Sequence, residues 1–212
     1  MIKKSMNTKR LFLYFTAALF VVIFSFGVYS LVTAIISFGK SEGWDGYTIA
    51  TDFQKGNGTL ENPYMIYNAE EFMYFKQVLE GENYKSYQDK YYALADDIDF
   101  NGNDITPIGI LENEEERFFA GNFNGRGHVL TNFKIKSAKT VHKTDYYSLF
   151  TKTVNATITS LGITNYRIEV EKNDNPKIVA PLVGEIVGKD GEEEELAFYK
   201  NLYLKDFYIA PD

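Results

Sequence analysis

The chain has 212 residues and no cysteine, which excludes disulfides, thiolate chemistry and cysteine-ligated zinc. Its net charge of −7 hides an uneven split. Lys3, Lys4, Lys9 and Arg10 precede an uncharged stretch, and after Phe38 the other 18 of the 22 basic residues face all 29 acidic ones. An acidic body without clustered Lys and Arg excludes nucleic acid as a partner, because phosphate neutralisation needs such clusters.

Residues 11–38 carry no charge, and a helix of about 20 apolar residues spans a bilayer. Helix is the state expected there, because only internal hydrogen bonds satisfy a backbone in lipid. Four basic residues before the stretch and Glu42 and Asp45 after it put residues 1–10 in the cytoplasm and the body outside. The alternative is a secreted chain cleaved after Ala34, where Val32-Thr33-Ala34 offers small residues. The apolar run is longer than the 7–15 residues of a signal peptide, which favours an uncleaved signal-anchor. A linker and entry segment over 39–63 follows, and then a domain over 64–212.

Gly56, Asn57 and Gly58 form a turn cluster ahead of a short strand at 64–67. Asn68 is placed to cap a helix over 69–80, with Glu71 as the reciprocal partner. Phe72, Phe75 and Leu79 recur at helical spacing, and Gly81 stops the helix. From Tyr91 the period drops to two: Leu94, Ile98 and Phe100 share one parity, and Asp97 and Asp99 take the other. Asn124-Gly125 and Arg126-Gly127 predict a tight reversal between Phe123 and Val129.

Internal repeats follow. Asn132-Phe133-Lys134-Ile135, Ser160-Leu161-Gly162-Ile163 and Asn201-Leu202-Tyr203-Leu204 align, at spacings of 28 and 41. Ser148-Leu149-Phe150-Thr151 aligns with Pro181-Leu182-Val183-Gly184. The longer spacing contains Lys189-Asp190-Gly191 and Glu192 to Glu195, read as an acidic surface loop inserted in one repeat.

The order WDG (44–46), GNGTLENPYMI (56–66), YYALADDIDF (91–100), FFAGNFNGRGHVLTNFKI (118–135), ITSLGITNYRI (158–168), APLVGEIVG (180–188) and FYKNLYLKDFYI (198–209) resembles the opening of bacterial cell-surface proteins with GLUG-type repeats. The resemblance covers most of 44–209. It implies a mainly β fold: a short right-handed parallel β-helix, or solenoid, whose N-terminal end the helix 69–80 covers. It also implies surface display, adhesion, or contact with a cell-surface protein or a polysaccharide, without catalysis and without a cofactor. Such a stack exposes unpaired backbone at an open end, where a partner or a second copy can pair.

Several residues invite chemistry. Asp97-x-Asp99-x-Asn101-Gly102 matches the first half of a calcium loop, but Ile108 stands where the bidentate Glu belongs. Asp97 and Asp99 share a strand face, the arrangement a polysaccharide lyase or glycoside hydrolase would use, although surface acids are the plainer reading. His128 and His142 lack triad partners in the sequence. Exposed tyrosines anchor sugars and proteins well. The candidates for contact are therefore Tyr84, Tyr87, Tyr146 and Tyr147, against the alternative that these rings line the core.

Overall fold

The computed structural model describes residues 43–112, 115–188 and 198–211. The anchor expected at 11–38 and the acidic insertion at 189–195 lie outside them. Among the described residues no helix is long and apolar enough to cross a membrane.

Among the described residues the fold is mainly β, with one α-helix and parallel sheets. A first sheet has the order β1-β2-β6-β11-β15, built from Tyr64–Ile66, Tyr91–Leu94, Asn122–Asn124, Thr157–Thr159 and Phe198–Lys200. A second runs β3-β7-β12-β16, from Ile98–Asp99, Val129–Ile135, Gly162–Val170 and Tyr203–Pro211. A third pairs β10 (Phe150–Val154) with β14 (Val183–Val187), and Ile108 and Phe119 bridge to β10 in parallel. The chain visits first, second and third sheets in that order, then begins again one strand further along each.

Among the described residues two antiparallel excursions leave this circuit. One is the hairpin of β4 (Ile110–Glu112) and β5 (Glu115–Arg117). The other is β8 (Lys139–Val141) with β9 (Thr144–Tyr147), to which β13 (Lys177–Val179) adds in parallel.

Inward positions stack in register. Phe100–Phe133, Phe133–Tyr166 and Tyr166–Phe207 ring centroids lie 5.4, 5.2 and 5.6 Å apart. Ile135, Ile168 and Ile209 share another register. Each aromatic pair adds about 0.5–1.5 kcal/mol beyond its buried area. The corners use the left-handed backbone that Asn, Asp and Gly tolerate best. Asn132, Asn165 and Asp206 have φ of 60°, 47° and 53° at the same place in successive strands. Ser160 and Asn201, at 51° and 55°, mark another corner.

Those two corners explain one register error. Asn132 and Ser160 both precede an apolar-x-apolar pattern, so the sequence aligns them 28 apart. In the structure Ile163 pairs with Leu130 and Tyr166 with Phe133, a step of 33, and Asn132 matches Asn165. The alignment of 160–163 with 201–204 holds, since Gly162 pairs with Tyr203. That of 148–151 with 181–184 also holds, since Phe150 pairs with Val183. The step grows from 33 (Val154 to Val187) to 41 (Thr157 to Phe198), which locates the extra residues between Val187 and Phe198.

The expected reversal at 124–127 is a corner between two parallel sheets. Gly125 N donates to Thr159 O, and a Cβ on Gly125 would meet Ser160 O at 2.5 Å, so only glycine lets the next strand's corner approach. The single strand expected over 93–100 is likewise broken at Ala95–Asp97, where the chain turns from the first sheet to the second.

Helix α1 (Ala69–Glu80) starts as expected: Asn68 Oδ1 accepts from Glu71 N at 2.9 Å. The reciprocal bond is shifted, because Glu71 Oε2 accepts from Tyr67 N at 2.7 Å and Oε1 from Gln54 N at 3.2 Å. Phe72 meets Phe100 and Phe123, and Phe75 meets Tyr92, Phe119, Phe123 and Phe150. The helix therefore packs on residues of all three sheets. At its end Glu80 accepts from Lys76 Nζ at 2.5 Å and Gly109 N at 3.0 Å, and Arg117 donates to Glu80 O. Burial pushes the Lys76 ammonium below its ordinary pKa against the pull of Glu80.

Candidate functional site

The outer face of the first sheet holds a shallow groove of about 260 Å³. Its floor comes from outward residues of successive strands. Tyr91 pairs with Asn122 and Asn122 with Thr157, and Asn124 pairs with Thr159. Inward neighbours Tyr92, Phe123 and Ile158 are buried in the core, so the alternation of the strands fixes which side faces the groove. This concavity is at the small end of ligand sites.

One wall is the entry loop. Asn57 N donates to Asn62 O at 2.9 Å, Thr59 Oγ1 to Asn57 Oδ1 at 2.9 Å, and Tyr91 N to Gly58 O at 3.0 Å. These bonds hold Leu60 and Pro63 over the floor, and Leu60 is 66% exposed. Gly56 is required there: its φ is 100° and a Cβ would lie 1.9 Å from Pro63 O. The other wall is Arg126, at φ 54°, whose backbone N donates to Asn124 Oδ1 at 2.9 Å. The groove thus offers an aromatic ring, two amides, two hydroxyls and a guanidinium.

The residues singled out by sequence lie elsewhere. Tyr84 is buried, donates to Glu115 Oε1 at 2.8 Å and takes the Arg117 guanidinium over its ring at 5.3 Å. It fastens the β4–β5 hairpin to the turn at Tyr84–Ser86, and burial, with Glu115, raises its phenol pKa. Tyr87 is half-buried against Tyr64. Tyr146 is buried and donates to Glu185 Oε2 at 3.1 Å. Tyr147 is fully buried, and its oxygen accepts from Glu171 N at 2.9 Å. Core lining, the alternative reading, fits Tyr84, Tyr146 and Tyr147, and a buried ring meets no partner. The signal missed was Tyr91 beside Tyr92: on a strand, adjacent tyrosines face opposite sides, so one of the two had to point outward.

Asp97 and Asp99 bond different neighbours. Asp97 Oδ1 bonds His128 Nδ1 at 3.1 Å and Val129 N at 3.0 Å. Asp99 Oδ1 accepts from Asn101 N at 2.7 Å and Asn132 Nδ2 at 3.0 Å. Asn165 Nδ2 continues the line to Asn132 Oδ1 at 3.5 Å. Asn101 Nδ2 donates to Trp44 O at 3.2 Å, which turns the third calcium candidate toward the entry segment. Among the described residues no three His, Asp or Glu side chains cluster as a metal site. His142 lies at φ 47° in the β8–β9 turn.

A buried carboxylate does organise the β8–β9 excursion. Asp145 accepts from Thr140 Oγ1 at 2.7 Å, Asn173 Nδ2 at 2.8 Å and Asn175 Nδ2 at 3.0 Å. The Thr140 hydroxyl first, and then the two amides, hold it below the usual carboxylate range.

No family model, no curated protein and no solved structure matches the chain.

Proposed function

We propose that this chain is a non-catalytic contact module, a short right-handed parallel β-helix displayed outside the cell on the apolar anchor 11–38, and that it holds a polysaccharide chain in the groove on its first sheet. The helical reading is supported by parallel pairings that recur in the same sheet order, and the right hand by the chirality of parallel crossovers. Surface display is supported by the basic residues before the apolar stretch and the acidic body after it.

The groove is the observation that carries the reading. Tyr91 offers a flat apolar face for a sugar ring, and Asn122, Asn124, Thr157 and Thr159 offer matched donors and acceptors for its hydroxyls. A binding rather than a cleaving site is supported by Asp97 and Asp99, each of which commits Oδ1 to neighbouring donors, His128 and Val129 N for Asp97 and Asn101 N and Asn132 Nδ2 for Asp99.

Retention of the full chain, in detergent micelles, on immobilised polysaccharides tests this. Wild type should bind at least one of them saturably, and Tyr91→Ala should weaken that binding about tenfold with an unchanged melting temperature. Binding to none, or equal binding by Tyr91→Ala, would refute the groove as the contact site.

A further inference from the structure

The two ends of the sheets differ. At the first end the entry segment occupies the backbone edge: Met65 N donates to Lys55 O, and Asn103 Nδ2 donates to Trp44 O at 2.7 Å. Helix α1 fills the space beneath. At the other end β16 pairs with β12 on one side, and among the described residues no strand pairs with its other edge. Its inward residues are also uncovered. Leu204, Phe207 and Ile209 are 41%, 46% and 41% exposed, while their register partners Ile163, Tyr166 and Ile168 are 1%, 3% and 0%.

The order of residues on β16 narrows what can cover it. Around the Lys205–Asp206 bond the segment reads nearly the same both ways. Moving outward, Lys205 mirrors Asp206, Leu204 mirrors Phe207, Tyr203 mirrors Tyr208, and Leu202 mirrors Ile209. The facing agrees as well. By register with β12, Leu204 and Phe207 both point inward, and Tyr203 and Tyr208 both point outward. The left-handed residue Asp206 shifts the parity at the centre, so inward positions fall symmetrically about it.

We infer that two copies of this chain join through β16, antiparallel, about a two-fold axis between Lys205 and Asp206. That pairing places Leu204 against the partner's Phe207, Tyr203 against the partner's Tyr208, and Lys205 against the partner's Asp206. Lys205 and Asp206 sit 3.7 Å apart within one chain and are free to exchange partners. Backbone N–H and C=O groups on the open edge gain a ladder, and the two apolar interiors meet. Head-to-tail stacking is ruled out, because the receiving end is occupied by the entry segment and α1. The contact is therefore self-complementary and closes at two copies.

Because the chain has no cysteine, introduced thiols report on register alone. Directly opposed residues have Cα atoms about 4.5–5.5 Å apart, within disulfide reach. Full-length Tyr203→Cys and Tyr208→Cys, mixed in detergent micelles and oxidised, should give a two-chain product. Either variant alone should give little, because its thiols lie five positions out of register, roughly 16 Å apart at about 3.3 Å per residue. In sedimentation, wild type should be a dimer, and Phe207→Glu should raise its dissociation constant at least tenfold with an unchanged circular-dichroism spectrum. No product from the mixture, equal products from the single variants, or a wild type that stays monomeric at all concentrations would overturn the inference.

Discussion

The same side-chain column is buried at one end of the molecule and exposed at the other. Phe133 and Tyr166 are 1% and 3% exposed, while Phe207, the next ring in their stack, is 46% exposed. All three sit at one register position with one backbone conformation beside them. The difference lies in neighbours: Phe133 has a strand on either side, and among the described residues Phe207 has β12 alone. Burial here belongs to the stack and not to the residue. The first end solves this with α1, whose Phe72 and Phe75 fill the space a further strand would occupy. At the other end no described residue fills that place.

The largest expected effect is at the closed end. Phe75→Ala removes a ring that is 0% exposed and meets Tyr92, Phe119, Phe123 and Phe150, and should cost about 3–5 kcal/mol in denaturant unfolding. Next is Glu80→Ala, which strips the partner from buried Lys76 and from Gly109 N, with Lys139 Nζ also 3.6 Å away. It should cost about 3 kcal/mol, because a buried ammonium is left without its countercharge. A Lys76→Met, Glu80→Gln double variant should recover part of that loss.

Asp145→Asn should cost about 1–2 kcal/mol, since hydrogen bonds to a charged acceptor are the stronger kind. Its sign with pH is definite. The folded carboxyl lies below its unfolded value of about 3.9, so its contribution is complete above that pH. It is lost as pH falls through the lower folded value, and the Asn variant should show a flatter acid limb. The smallest effect belongs to the open end: Phe207→Ala in dilute solution should cost under about 1 kcal/mol, because the ring is half in water already.

The sequence made α1 legible, because Asn68, Glu71 and the Phe72-Phe75-Leu79 spacing are local signals. It also made the inward parity of Leu94, Ile98 and Phe100 legible, all of which are buried. Register was only half legible. Two different bends demand the same left-handed residues, so Asn132 and Ser160 look equivalent although Asn132 bends β7 from within and Ser160 joins β11 to β12. The groove was hidden for another reason. Tyr91, Asn122 and Thr157 are far apart in the chain and become neighbours only through parallel pairing. Tyr84, Tyr146 and Tyr147 misled because a tyrosine cluster has the same composition whether it faces solvent or core. What distinguishes the two is that the rings are buried and their hydroxyls bond within the chain, to Glu115, Glu185 and the Glu171 amide.

Amide hydrogen exchange of the full chain at several concentrations tests the contrast between the ends most directly. Exchange in β2, β6 and β7 should be slow at every concentration, and exchange in β16 should be fast when dilute and slow down as the chain is concentrated. Equal and concentration-independent protection of β16 and β7, or faster exchange in α1 and β2 than in β16, would contradict it.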